Sequence, residues 1–178
     1  MKNEETTMKV LVTCCRLLIG AVFVFSGFVK AVDPVGSEIK ISEYLAVWGM
    51  NMPHWVTVML AFNLIALEFT LGIAMLLGVY RRYVSLLTLA FMLVMTPLTL
   101  YLALFNPVTD CGCFGDALIL SNWETFFKNI VLLAASVFVV CNRRRLLPCF
   151  TPEAYWFVAL FTYVCCLVFS WWNYNHLP

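Results

Sequence analysis

The sequence has few charged residues, and this shortage decides its broad class. Charged side chains make up 12% of the 178 residues, roughly half the share found in ordinary soluble domains. A soluble fold of this length would have more surface than so few charges could cover, so lipid must cover the remainder. Basic residues are few and scattered, which excludes a nucleic-acid-binding surface. Glycine-rich phosphate loops, metalloprotease helix motifs and low-complexity tracts are also absent from the sequence.

Long apolar stretches dominate the chain instead. Apolar residues account for 63% of it, and the mean hydropathy is +0.90. About 20 mostly apolar residues let a helix cross the hydrocarbon core of a bilayer. Five stretches meet this requirement, at residues 10–29, 55–80, 83–105, 123–141 and 155–172. We therefore predict an all-α, polytopic membrane helix bundle that forms one domain over residues 1–178, with outer loops at 30–54 and 106–122.

Local signals mark the ends of these spans. The first span is longer than the apolar core of a signal peptide, and bulky Val24 weakens the small-residue site at Ser26-Gly27, so we expect the span to be retained. In the loop that follows, helical spacing of four apolar residues predicts a short helix along the membrane surface. These residues are Ile41, Tyr44, Leu45 and Trp48.

Three further signals lie between the later spans. Arg81-Arg82 predicts a tight turn, and Pro97 predicts a kink in the third span. Ser121 and Glu124 have the spacing of a capping box, which predicts the start of the fourth helix.

The distribution of lysine and arginine predicts the orientation, because cytoplasmic loops are enriched in both. A cytoplasmic amino terminus keeps most of the basic residues on the inner side, namely Lys2, Lys9, Arg16, Arg81, Arg82, Arg143, Arg144 and Arg145. Only Lys30, Lys40 and Lys128 then lie outside. The predicted location is the cytoplasmic (inner) membrane, with the 106–122 loop and the carboxyl terminus on the extracytoplasmic side.

Most of the eight cysteines have an ordinary explanation. Adjacent cysteines in a helix point about 100° apart and cannot easily form a disulfide. Cys14-Cys15 and Cys165-Cys166 are therefore interpreted as small apolar residues, and a relay role is a distant alternative. Cys141 and Cys149 flank the cytoplasmic arginines, where a reducing compartment keeps them as free thiols.

Cys111 and Cys113 differ, because they lie in an outer loop with only Gly112 between them. A disulfide across one residue closes a very small, strained ring, and strained, exposed disulfides are the labile or catalytic ones. Gly112 allows the backbone to fold that tightly. The alternative is a pair that only staples the loop, and Asp110 and Asp116 disfavour a reactive thiolate. A metal site is not expected, because His54 and His176 are the only histidines available to complete zinc coordination.

Two charges lie inside predicted spans. An isolated charge at the bilayer centre costs roughly 2.5–3.5 kcal/mol on insertion scales, so it should face the bundle and find a partner. Counted from the cytoplasmic side, Arg16 and Glu68 lie at depths that an arginine side chain could bridge, which predicts an ion pair between them. The alternative is that Arg16 extends to the inner surface while Glu68 stays protonated. Lys30 is placed near the outer interface, from where it could reach the loop cysteines.

These residues resemble a known family. Arg16, Gly20 and the run Ser26-Gly27-Phe28-Val29-Lys30 in the first span resemble DoxX-like membrane proteins, as do Glu68, Gly72, Gly78 and Arg81 in the second. The stretch Cys111-Gly112-Cys113-Phe114-Gly115, with Trp123 and Lys128-Asn129 in the next helix, resembles the MauE (methylamine-utilisation) type more closely. The similarity covers residues 10–140. The fifth span is an addition to the usual four-helix core.

The resemblance implies a role in disulfide handling for exported proteins, beside a thioredoxin-like partner. Cys111 and Cys113 would be the redox pair of a membrane thiol–disulfide oxidoreductase component, with Gly112, Phe114 and Gly115 shaping their loop. Arg16, Glu68 and Lys30 would form the buried polar set. The spans contain no Cys-x-x-Cys of the kind that quinone-coupled enzymes use, so any onward electron path would lie on a partner.

Two other hypotheses remain open. The bundle could bind a quinone, a lipid or another amphipathic ligand at Arg16 and Glu68, with a structural cysteine pair. It could also be an assembly factor that scaffolds a secreted or membrane-bound partner protein.

Overall fold

The computed structural model describes residues 2–107, 112–118, 120–143 and 151–176, and these residues are helical with short connections. The prediction of an all-α bundle is confirmed. Six α-helices follow in chain order: α1 (Lys2–Val32), α2 (Pro34–Val47), α3 (His54–Leu77), α4 (Arg81–Phe105), α5 (Asn122–Cys141) and α6 (Tyr155–His176). Five of them, all except α2, are long and apolar enough to cross a membrane.

The helix ends follow from local chemistry. Asp33 begins α2, because its Oδ1 accepts a hydrogen bond from the Gly36 backbone N–H at 2.9 Å. The predicted capping box of Ser121 and Glu124 is confirmed at the start of α5. The short helix predicted in the first outer loop is also present, as α2, and it packs on α3.

The predicted turn at Arg81-Arg82 is wrong by a few residues. Helix α3 ends at Gly78, whose φ of +68° a residue without a Cβ adopts at no steric cost. Tyr80 also has a positive φ, and Arg81 is already the first residue of α4. The turn therefore begins at Gly78, and Arg81 and Arg82 are the first two residues of α4. Pro97 lies inside α4, and the kink predicted there stays a prediction.

Helix α1 is central to the packing. It lies against α3 over most of its length and also contacts α5 and α6, while α4 packs mainly on α5. Glycines bring α1 and α3 close together. A Cβ at Gly27 would lie 2.8 Å from the Phe69 backbone N, and one at Gly72 would lie 2.6 Å from the Val24 N. Small residues at such contacts allow membrane helices to approach closely and gain van der Waals packing.

Candidate functional site

The loop between α4 and α5 folds back over one end of the bundle. Residues 112–118 of this loop are described, and they contact α1 and α2. Gly112 and Gly115 have φ values of +63° and +51°, which glycine adopts without strain. The Gly115 backbone N–H donates to the Gly112 carbonyl at 3.1 Å, which closes a turn around Cys113. Cys111 and Asp110 lie outside the described residues.

Three contacts hold this turn on the bundle. The Ser26 hydroxyl, on α1, donates a hydrogen bond to the Cys113 carbonyl oxygen. The Phe114 side chain is buried, with its ring centroid 5.5 Å from that of Phe25 in an edge-on arrangement. Lys128 Nζ, on α5, lies 4.0 Å from the Phe114 ring centroid, within cation–π range. The loop is therefore anchored through its backbone, its aromatic ring and a charge.

Three lysines from three different helices line the cavities beside Cys113. Lys30 and Lys128 line a cavity of about 20 Å³ together with Cys113. Lys30 and Lys40 line a neighbouring cavity of about 50 Å³, again with Cys113. Lys40 also packs against Gly112, where a Cβ would lie 2.9 Å from Lys40 Cγ. These are the three lysines that the sequence placed on the outer side of the membrane.

Lys30 forms a buried ion pair with Glu68. Lys30 Nζ lies 2.7 Å from Glu68 Oε2, and the two residues are 7% and 5% exposed. The predicted pairing of Glu68 with Arg16 is therefore wrong. Glu68 also lines the smaller cavity with Cys113, so the ion pair adjoins the cysteine loop.

The antiparallel register of α1 and α3 explains this correction. Gly20 faces Leu76, and Gly27 faces Phe69, so Glu68 lies opposite the end of α1 that follows Gly27. Lys30 follows Arg16 by 14 residues, about 21 Å along the helix axis. Arg16 is buried, 7% exposed, toward the other end of the bundle. The buried polar set predicted from the sequence is thus divided, with Glu68 and Lys30 together and Arg16 apart.

None of the other described cysteines lines the two cavities beside Cys113. Cys14, Cys141 and Cys165 are exposed on their helices, and Cys15 is half-buried. Cys166 is buried on α6 beside Ala31, Ile65 and Ala66. Cys149 lies outside the described residues.

Sequence reasoning did not identify three residues of the site, Ser26, Lys40 and Lys128. A signal for Ser26 was present, because it precedes Lys30 by one helical turn and so shares its face of α1. The signal for Lys40 and Lys128 was their positive charge, since with Lys30 they are the only lysines that the sequence predicts on the outer side. Neither signal reveals that the loop between α4 and α5 folds back over the end of the bundle where these residues lie.

Comparison with known proteins identifies the family. Residues 8–142 match the family model described as methylamine utilisation protein MauE. The match covers α1 to α5 and includes Lys30, Glu68 and the cysteine loop. Neither the curated proteins nor the solved structures compared with this chain include a match. Because the matched region makes up more than half of the chain, this multi-pass membrane protein belongs to the MauE family.

Proposed function

We propose that this protein exchanges a disulfide with an exported thioredoxin-like protein, through Cys111 and Cys113, on the outer side of the cytoplasmic membrane. The observation that carries the proposal is the docking of Cys113 among Lys30, Lys40 and Lys128. Reactive cysteines occupy electropositive, partly exposed surroundings, because positive charge stabilises the thiolate. Cys113 is half-buried, and among the described residues that line its two cavities three are lysines and one, Glu68, is acidic.

The basic residues support the orientation that the proposal needs. Arg81 and Arg82 begin α4, and Arg143 follows α5 directly, so these charges lie at the end of the bundle opposite the cysteine loop. The positive-inside rule places such arginines in the cytoplasm. The loop then faces the oxidising side, where disulfides form and persist.

The exchange proceeds through a mixed disulfide. A thiolate of the partner's dithiol attacks Sγ of Cys111, the Cys111–Cys113 bond breaks, and Cys113 leaves as a thiolate. The partner's second thiolate then attacks its own sulfur in the mixed disulfide and releases Cys111 as a thiolate. Two electrons pass from the partner dithiol to the cysteine pair, and the partner becomes oxidised. The same steps in reverse oxidise this protein's pair.

A trapping experiment tests the proposal. The Cys113→Ala variant has no disulfide of its own, so it can take part only in the reverse reaction, in which the Cys111 thiolate attacks the disulfide of an oxidised partner. Cys113, the thiol that would resolve this mixed disulfide, is absent, so the partner should remain linked to Cys111. We expect a reducible, higher-mass adduct on non-reducing gels of membranes, containing a protein with a thioredoxin-like pair of cysteines.

The matched control is the double variant Cys111→Ala, Cys113→Ala, which should form no adduct. The variant Cys141→Ala tests a cysteine that is exposed at the opposite end, and it should behave like the unaltered protein. Absence of any adduct in Cys113→Ala, at normal protein levels in the membrane, would contradict the exchange.

A quinone or lipid ligand is a second candidate, favoured by one feature. An apolar groove of about 430 Å³ lies between α3, α4 and α6, lined by Leu71, Tyr83 and Tyr163 among others. This volume falls in the range of small-molecule sites, whereas the two cavities beside Cys113 are far too small. Normal cellular function of the double cysteine variant, together with photo-crosslinking of a quinone analogue to this groove, would favour the ligand-binding role.

A further inference from the structure

The Lys30–Glu68 pair lies directly beside the proposed thiol site, and its burial is costly. Both side chains are more than nine-tenths buried. Removing two charges from water carries a desolvation penalty that their mutual attraction often fails to offset. Ionisable residues inside membrane proteins therefore point to function more often than to stability.

Lys30 contacts a carboxylate and lines the same cavities as a cysteine. Its ammonium contacts Glu68 at 2.7 Å, and its side chain lines both of the cavities that Cys113 lines. Ser26, one turn earlier on the same face of α1, binds the Cys113 carbonyl. Helix α1 thus holds both the cysteine turn and the cation beside it.

Two other helices each contribute one lysine to the cavities beside Cys113. Helix α5 contributes Lys128 and α2 contributes Lys40, which pairs with Glu43 at 3.3 Å. The α4 residues that line the two cavities are uncharged, namely Phe91, Met92, Met95 and Leu98. Among the described residues of the cavity walls, Glu68 alone is acidic. Its carboxylate is therefore the group that competes for the cations beside Cys113.

On the basis of the proposed exchange, we propose that Glu68 is a positioning residue that sets the reactivity of Cys113 through Lys30. When the Cys111–Cys113 bond breaks, Sγ of Cys113 keeps the electron pair and becomes an anion. The Lys30 ammonium stabilises this thiolate, and the Glu68 carboxylate limits the stabilisation by sharing the same ammonium. The thiolate is consequently stable enough to leave the disulfide and reactive enough to form it again.

Alkylation of Cys113 over a range of pH tests this inference. The Cys111→Ser background keeps Cys113 as a thiol, and iodoacetamide modification in membranes is quantified on the Cys113 peptide by mass spectrometry. Glu68→Gln leaves Lys30 charged and removes the carboxylate that competes with the thiolate for it. The pH at which alkylation reaches half its maximal rate should therefore fall by about one unit. Adding Lys30→Gln to Glu68→Gln should raise this half-maximal pH again, by about one unit or more.

Lys9→Gln is the control, because Lys9 is an exposed lysine on the same helix, paired with Glu5 at the opposite end of α1. It should leave the profile unchanged. An unchanged profile in Glu68→Gln overturns the inference, and this variant decides alone if the double variant fails to accumulate. A shifted profile combined with no partner adduct in Cys113→Ala would instead overturn the proposed exchange and leave the charge arrangement standing.

Discussion

Helix α1 meets α3 in two different ways along its length. From Gly20 to Gly27 the contact depends on shape, because backbone atoms approach to distances that leave no room for a Cβ. At the loop end the contact depends on charge, through Lys30 and Glu68. Shape packing adds van der Waals attraction without burying a charge, whereas the ion pair carries a desolvation cost. The comparison indicates that the glycine contact builds the bundle and that the charged contact serves the site.

The largest expected effect is the loss of the glycine contact. Gly72→Val adds a side chain where a Cβ would already lie 2.6 Å from the Val24 backbone N, so α1 and α3 must separate. Overpacking costs about 1–3 kcal/mol where the neighbours can yield. Here backbone atoms rather than flexible side chains are in the way, so we expect a cost above this range and above that of any other change considered. We expect little folded protein in detergent extracts of membranes and a lowered melting temperature for the remainder. Ala90→Val introduces the same side chain on an exposed face of α4 and should melt normally.

The second effect concerns the charged contact. Glu68→Leu removes the carboxylate from a buried lysine, and breaking a buried pair in this way costs about 3–5 kcal/mol in the proteins where it has been measured. Lys30 lies near the end of α1, so its side chain can extend toward the nearer membrane interface and reduce this cost; we therefore place it below that of Gly72→Val. Thermal unfolding in detergent measures the stability that Glu68→Leu loses.

A double-mutant cycle separates the pair from its surroundings. Lys30→Met combined with Glu68→Leu removes both charges and should recover most of the lost stability. Glu43→Leu, which removes the partner of the more exposed Lys40, should cost at most about 1 kcal/mol. A double variant as unstable as Glu68→Leu alone would show that the two charges do not act as a pair.

The sequence predicted the spans well because apolar length and helix caps are local signals. All five spans, the helix in the first outer loop and the capping box of Ser121 agree with the structure. The turn before α4 was misplaced, because two adjacent arginines attracted more attention than Gly78, the residue whose conformation ends the helix.

The candidate site could be predicted only in part, because it depends on how helices slide against each other. Depth counting placed Arg16 and Glu68 within reach, but an error of a few residues in each boundary is enough to pair the wrong cation. The register is fixed by the close approach of Gly27 and Gly72 to the facing helix, and the sequence shows these glycines without their partners. Lys128 was equally hidden, since its role depends on the fold of the loop that precedes its helix.

The smallest expected effect concerns the loop that the charged end holds in place. Lys128→Met removes the cation over the Phe114 ring, a contact worth about 0.5–2 kcal/mol. The Gly115 amide, which donates to Gly112 within the docked turn, should then exchange with deuterium about 2- to 30-fold faster, because the turn leaves the bundle more often. Lys128→Arg keeps a cation over the ring and should exchange at the original rate. Equal exchange in the two variants would mean that packing of Phe114 against Phe25, rather than charge, keeps Cys113 beside Lys30. The lysine on α5 would then add no attraction to a loop that the apolar contact alone had already docked.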